Sequence, residues 1–251
     1  RTVLTIALVG ILAGNVMEPS AVAAPADGTQ GARYNGLGTC FVENRGQVGE
    51  PVRFTSGGRV ATLYVMDSAF LWHFVRTPKP ADDRRLGPPQ PAETRSLAFS
   101  LEGADPAARC EGVDPLPGRV HFFRGDDPAR WRTDVPTYAR VRTTELYRGI
   151  SLEAFVGSDE AFEYDLVLEP LADPNQVVAR MDGAESISVD AEGSLVFQLG
   201  DVTFRHLAPI AYQDEPDGSR RPVECRYRLL DERRVAFDLG DYDASRRLVI
   251  D

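Results

Sequence analysis

Residues 121–168 read HFFRGDDPARWRTDVPTYARVRTTELYRGISLEAFVGSDEAFEYDLVL, and this stretch decides the fold. Strand and turn signals follow one another in it without a gap. An apolar run ends at Phe123, and Gly125-Asp126-Asp127-Pro128 then supplies turn residues, because glycine accepts positive φ and proline fixes φ. The turn is predicted to open a short helix that runs through Trp131.

The second half of this stretch predicts a β-hairpin. Apolar and polar residues alternate over residues 150–156 and again over residues 162–168, which is the period of a half-buried strand. Residues 157–160, Gly-Ser-Asp-Glu, are predicted to form the connecting loop.

Short apolar segments of strand length recur along the rest of the chain, each bounded by turn residues. They are residues 52–55, 60–66, 70–75, 97–101, 120–123, 177–181, 186–189, 195–199, 202–206, 210–213, 224–230, 235–239 and 248–250. Beyond the N-terminal leader, no segment shows a sustained helical period. The pattern predicts an all-β fold.

The spacing of these segments predicts two β-sandwich-like lobes, residues 39–170 and 171–251. The boundary falls in the sequence EPLADPN, residues 169–175. The first lobe is interrupted at residues 77–95, where five prolines and mixed charges are incompatible with the centre of a sheet. This segment is predicted to be an exposed loop.

The N-terminus has the features of a secretory leader. Residues 3–13 form an apolar run of about the length of a signal-peptide core, and Ala21-Val22-Ala23 offers a cleavage site. We therefore predict a signal peptide over residues 1–23 and a flexible tether over residues 24–38, which are small, polar and rich in glycine. The expected location is secreted or at the cell surface.

Charge and cysteine content restrict the partners and the covalent chemistry. The net charge of -10 argues against a nucleic-acid partner, which requires a basic face. The three cysteines, Cys40, Cys110 and Cys225, allow one disulfide with one thiol left over, and the sequence does not choose among the pairings.

Six motifs resemble a known family. They are ENRGQ (residues 43–47), VRF (52–54), GDDPARWRTDVPTYARVR (125–142), YRGISL (147–152), EYDLVLEPLADP (163–174) and YDASRRLVID (242–251). In this order they resemble the uncharacterised domain that precedes SBBP-type β-propeller repeats in bacterial exported proteins, and the resemblance covers residues 39–251. It implies that propeller repeats follow the chain. The family has no assigned catalytic residues, so none are carried over.

The residues that could bind a metal do not form a recognisable set. His73, His121 and His206 are scattered, and each lies in an apolar strand pattern. Residues 241–245 begin like a calcium loop but lack the glycine and the closing glutamate of an EF-hand. The sequence therefore predicts no metal and no cofactor.

Two carboxylates in the hairpin admit a catalytic alternative. Glu163 and Asp165 share one strand face, with Glu153 across the hairpin, and a glycosidase could use such a pair. The favoured interpretation is a polar face turned to solvent, on which Glu163→Gln and Asp165→Asn would change stability little.

The charged and aromatic motif residues are predicted to stabilise the fold. The residues concerned are Asn44, Arg45, Gly46, Gln47, Asp126, Asp127, Trp131 and Arg132. Guanidinium groups at Arg45 and Arg132 could tie loops to carboxylates or carbonyls. Trp131 is predicted to be a buried anchor whose truncation costs about 3–5 kcal/mol. In the alternative, Trp131 and Tyr138 form a sugar-binding platform.

These patterns favour a non-enzymatic, exported scaffold module. Its expected partners are the propeller repeats that follow it or other components of the cell surface. The alternative function is a carbohydrate-binding or carbohydrate-hydrolysing extracellular module, with a glycan as its ligand.

Overall fold

The computed structural model describes the backbone of Ile6–Ala7 and residues 40–57, 61–76, 93–157, 161–200 and 202–251. The strands are β1 (Ile6–Ala7), β2 (Phe41–Glu43), β3 (Phe54–Gly57), β4 (Ala61–Val65), β5 (Ala69–Arg76), β6 (Glu93–Glu102), β7 (Cys110–Phe122), β8 (Arg132–Tyr147), β9 (Ile150–Val156), β10 (Phe162–Leu168), β11 (Val178–Asp182), β12 (Ser186–Val189), β13 (Leu195–Leu199), β14 (Val202–His206), β15 (Ala211–Asp214), β16 (Arg220–Val223), β17 (Cys225–Leu229), β18 (Arg234–Leu239) and β19 (Leu248–Ile250). Two three-residue 3-10 turns, η1 (Pro128–Arg130) and η2 (Pro174–Gln176), are the helical elements of these ranges. The all-β prediction is confirmed.

Most strands belong to one large antiparallel sheet. Its order is β16-β15-β19-β10-β9-β8-β2-β3-β4-β5-β6-β11-β18-β17, and β7 pairs with β8. The strand pairing of the hairpin predicted within residues 150–168 is confirmed, because β9 and β10 pair over their full length from Ile150↔Leu168 to Phe162↔Val156. Residues 158–160 of its predicted loop lie outside the described ranges.

A smaller sheet, ordered β1-β14-β13-β12, supplies the second layer. Phe197 of β13 and Phe204 of β14 are buried in the same apolar cluster as Phe70, Phe99 and Leu166 of the large sheet. Burial of such large side chains is the main stabilising contribution to the fold.

Both predicted lobes, residues 39–170 and 171–251, contribute strands to the large sheet. Strand β10 pairs with β19, and β6 pairs with β11. Residues from both segments also share one apolar cluster.

Two predicted boundaries differ in the structure. Residues 93–95, predicted to end the proline-rich loop, belong to β6, while residues 77–92 lie outside the described ranges. Strand β7 is far longer than the predicted residues 120–123 and pairs with β8 in spite of Pro115 and Pro117. A register shift between Leu116 and Arg119 accommodates the interruption.

Most of the predicted signal peptide and the whole tether of residues 24–38 lie outside the described ranges. The backbone of Ile6–Ala7 pairs with Phe204 and Thr203 of β14. Within the described ranges, no helix has the length and apolar character needed to span a bilayer.

Candidate functional site

The ENRGQ motif forms a loop that bonds mainly to itself. The Asn44 side-chain oxygen accepts from the amides of Gly46 and Val48, and its nitrogen donates to the carbonyl oxygen of Val52 over 2.8 Å. Gln47 is buried, and its side-chain oxygen accepts from the Arg45 amide over 2.7 Å. The side-chain amides of Asn44 and Gln47 therefore stabilise the conformation of the loop after β2.

Arg132 connects this loop to the GDDPARW turn. Its Nε donates to the carbonyl oxygen of Arg45 over 2.9 Å, and its Nη1 donates to the carbonyl oxygens of Ala129 and Trp131. Gly46 has φ of +93°, and a Cβ at Gly46 would lie 3.2 Å from Arg132 Nε. Glycine at this position permits both the backbone conformation and the close approach of the guanidinium group.

The other charged motif residues make local contacts. The Arg45 guanidinium group lies 3.2 Å from a Glu43 carboxylate oxygen in an exposed pair. Asp127 caps η1 by accepting from the Ala129 amide, and Asp126 is exposed beside it. The Asp127 contact stabilises the η1 turn, whereas the Arg45–Glu43 pair lies in the loop after β2.

Trp131 is not the buried anchor that the sequence predicted. It is partly exposed and lies outside the three apolar clusters of the described residues. Its indole N–H donates to the carbonyl oxygen of Gly125 over 3.0 Å, and its ring meets Phe123 edge-on at 5.2 Å between centroids. The misassignment arose because an aromatic residue between strands has the same sequence pattern whether it faces the core or the tip of a loop.

Phe123, Trp131 and His121 form an exposed group that we call the aromatic tip. The side chain of Phe123 is 63% exposed, and the His121 ring lies almost parallel to it at 6.1 Å. Contiguous exposed apolar groups can mark a binding surface, whereas a single exposed apolar residue needs no explanation. In the sequence, Phe123 has only the pattern of a residue at the end of an apolar strand.

Tyr138 does not belong to the aromatic tip. Its ring packs edge-on against Phe54 at 5.8 Å, and its hydroxyl donates to Glu43 over 3.3 Å. It packs against the main apolar cluster, to which Trp131 does not belong. The two aromatic residues of the predicted sugar platform are therefore held in different environments.

An aromatic cavity lies between the two sheets. Its lining is Trp72, Leu97, Phe99, Phe162, Tyr164, Met181, Phe197, Phe204 and His206. The cavity volume is about 20 Å³, which is enough for about one water molecule or one small apolar group.

His206 is a polar residue that lines this cavity. Its Nδ1 lies 3.1 Å from the hydroxyl oxygen of Tyr227, and burial lowers the pKa of the imidazole to about 4. Burial also raises the pKa of the Tyr164 hydroxyl above its ordinary value. Both groups are therefore neutral at pH 7. His73, in contrast, lies against Ser96, and His121 belongs to the aromatic tip.

The hairpin carboxylates do not form the solvent-facing pair that was predicted. Glu163 is only 5% exposed. One carboxylate oxygen of Asp165 is buried without a hydrogen-bond partner, and burial, with Asp251 and Glu153 nearby, raises the pKa of Asp165 to about 6. Glu153 lies across the strand pair and contacts Arg142 at 2.6 Å.

Residues 241–245 form a hydrogen-bonded turn. The Asp243 carboxylate accepts from the Ser245 amide and hydroxyl, as expected for an aspartate turn. Within the ranges that the structure describes, no group of three or more His, Cys, Asp or Glu side chains could hold a metal ion.

Gln213 holds this turn and was missed by the sequence analysis. It is 0% exposed, and its side-chain oxygen accepts from the Asp243 amide over 2.8 Å and from the Arg221 guanidinium group over 2.9 Å. Its nitrogen donates to the carbonyl oxygen of Asp243 over 2.9 Å. The available signal was its position two residues after Ala211, on the buried side of β15.

The three cysteines are unpaired in the structure. Burial raises the pKa of Cys110 and of Cys225 to about 12, and it raises that of Cys40. Because the thiolate is the reactive form, these side chains are poor nucleophiles at neutral pH.

Comparison with curated proteins and with solved structures found no match. One family model, described as a domain of unknown function, DUF7948, matches residues 41–251. The matched residues include the large sheet, β12–β14 of the smaller sheet, and the ENRGQ and GDDPARW motifs. The chain belongs to this family.

Proposed function

We propose that the chain is a non-enzymatic, exported scaffold module that presents a following β-propeller repeat region at the bacterial cell surface or in the secreted space. The observation that supports it is the placement of β19 between β10 and β15. The Asp251 amide donates to the carbonyl oxygen of Ile210, and the Ile210 amide donates back, each over 2.8 Å. A region attached at this point would be held by a strand that is paired on both sides.

The reading frame of the gene tests the modular role. We expect it to continue past the Asp251 codon into propeller repeats. A stop codon immediately after Asp251 would contradict the proposal. Other cell-surface components would then be the only remaining class of partner in this account.

Mass spectrometry of the protein recovered from outside the cell tests export. The mature chain is expected to begin near Ala24, because signal peptidase recognises small residues such as Ala21 and Ala23 after a short apolar segment. Retention of residues 3–13 in the exported protein would contradict this expectation.

A carbohydrate-binding module is the second candidate, and the aromatic tip favours it. An exposed ring such as that of Phe123 can stack on the apolar face of a sugar. A glycan array would test this candidate with the Trp131→Ala and Phe123→Ala variants. Tyr138→Phe is the control, since Tyr138 lies away from the tip. Binding that survives both tip substitutions, or the absence of any binding, would remove this candidate.

Trp131→Ala separates the two structural interpretations of the tip. We expect a loss of only about 1 kcal/mol of unfolding free energy, because the ring is partly exposed and its clearest polar contact is one hydrogen bond. Thermal or urea melts would measure it. A loss of about 3–5 kcal/mol would instead match a buried anchor.

A further inference from the structure

Three polar rings form a row at the apolar interface between the two sheets. Tyr164 of β10 and Tyr227 of β17 belong to the large sheet, and His206 of β14 belongs to the smaller one. Each of the three residues is at most 8% exposed. The ring centroids lie 5.3 Å apart for Tyr164 and His206 and 5.5 Å apart for His206 and Tyr227. The row therefore joins the two sheets through His206.

One end of this row is hydrogen-bonded and the other end is not. The hydroxyl oxygen of Tyr227 lies 3.1 Å from His206 Nδ1. Among the residues that the structure describes, none forms a hydrogen bond with the Tyr164 hydroxyl or with His206 Nε2. Buried polar groups almost always have a partner, because losing water without a replacement is unfavourable. The Tyr164 hydroxyl and His206 Nε2 therefore require one.

Both of these atoms border space that a water molecule can reach. Within the described ranges, the side-chain atoms that are fully enclosed and lack a partner are Asp165 Oδ1 and Arg205 Nε. The Tyr164 hydroxyl and His206 Nε2 are not fully enclosed, although both residues are more than nine-tenths buried. The aromatic cavity is the accessible space that both residues line.

The size and lining of the aromatic cavity select its occupant. A volume of about 20 Å³ accommodates one water molecule and excludes a larger ligand. A wholly apolar cavity stays dry, whereas a cavity with at least two polar partners can hold water. Because the Tyr164 and His206 rings are 5.3 Å apart, two ordinary hydrogen bonds from one molecule can reach both residues.

We propose that the aromatic cavity is a binding site for a single water molecule that bridges the Tyr164 hydroxyl and His206 Nε2. Tyr227 donates its hydroxyl proton to His206 Nδ1, so the neutral imidazole carries its own proton on Nε2. Nε2 donates that proton to the water, and the water donates to the hydroxyl oxygen of Tyr164. A continuous hydrogen-bonded chain then runs from Tyr227 through His206 and the water to Tyr164.

This water site gives the interface between the sheets a directional contact. Apolar contacts such as that between Phe74 and Phe204 depend little on orientation, whereas hydrogen bonds require defined distances and angles. The chain through the water fixes the tautomer and the ring orientation of His206. It therefore helps to define how β14 sits against β10 and β17.

A crystal structure at a resolution that shows ordered waters tests the site directly. We expect one water within about 2.6–3.2 Å of both the Tyr164 hydroxyl oxygen and His206 Nε2. The proposal would be overturned by a cavity without a water bonded to both atoms. A direct hydrogen bond between Tyr164 and His206 would overturn it equally.

NMR of a conservative variant tests the same site in solution. In the unchanged protein, the Nε2 proton of His206 is expected to show a nuclear Overhauser effect to a long-lived water. Tyr164→Phe keeps the ring, removes the hydroxyl and should abolish this signal. Tyr147→Phe is the matched control, because Tyr147 is also buried but donates to the carbonyl oxygen of Glu102, and it should retain the signal. A signal that survives in Tyr164→Phe, or that is absent from the unchanged protein, would contradict the bridging water.

Discussion

Replacing Gln213 by leucine is expected to lower the free energy of unfolding by about 3 kcal/mol. The side chain is fully buried, with hydrogen bonds to both backbone groups of Asp243 and to Arg221. Leucine of similar size cannot replace these hydrogen bonds, and losing several hydrogen bonds from one fully buried side chain costs more than a single hydrogen bond normally contributes.

Urea unfolding of Gln213→Leu would measure the effect. Gln176→Leu is the matched control, because the Gln176 amide makes exposed contacts of 3.1 and 3.4 Å, and we expect a loss below about 0.5 kcal/mol there. Equal losses in the two variants would contradict the role assigned to Gln213. A larger loss at Gln213 would show that the turn of residues 241–247 depends on it.

The second large effect is a loss of stability in acid caused by His206. Its pKa is about 4 in the folded protein, against 6.5 as the ordinary value. Between about pH 4 and pH 6.5, the His206 imidazole is therefore protonated in the unfolded chain and neutral in the folded protein. Stability from this group is complete above about pH 6.5 and is lost as the pH falls toward 4, by about 3 kcal/mol in all. His73, whose pKa is also lowered by burial, acts in the same direction.

Asp165 acts in the opposite direction. Its pKa is raised from 3.8 to about 6, so the folded protein retains the proton more strongly. Its contribution is present in acid and is lost as the pH rises from about 4 to about 6. Because the side chain is partly solvated, we expect only about 1 kcal/mol from it. The two groups therefore partly cancel in the same pH window.

Single substitutions would resolve the two contributions. Urea unfolding between pH 4 and 7 is expected to show a steeper loss in acid for Asp165→Asn than for the unchanged protein, and a shallower loss for His206→Gln. The readout is the change of the unfolding free energy with pH. Its absolute value is not compared, because either substitution also changes packing. An unaltered slope in His206→Gln would show that this histidine titrates normally in the folded state.

The sequence predicted local features of the fold better than its global arrangement. The alternation over residues 150–156 and 162–168 identified the β9–β10 hairpin, because period-two patterns and a turn are local signals. Pairing between β10 and β19 joins residues about 80 positions apart, and no local pattern reports such a partner. The sequence therefore does not report that both predicted lobes contribute strands to one sheet.

The candidate site shows the same limit at the level of single side chains. The ENRGQ and GDDPARWR motifs indicated turns, since glycine, asparagine and proline have strong local preferences, but they did not predict the contact between Arg132 and the Arg45 carbonyl oxygen. The direction of Trp131 and the burial of Glu163 depend on neighbours distant in sequence. Their environments were therefore assigned incorrectly from the strand pattern.

Strand β19 is an integral part of the large sheet, in which it lies between β10 and β15. Amide exchange at Val249 and Ile250 tests it most directly, because these residues pair with β10 and β15. We expect both amides to exchange only through global unfolding, with the same opening free energy as Leu152 of β9. Exchange of Val249 and Ile250 through local opening, at a free energy well below that of Leu152, would contradict the account.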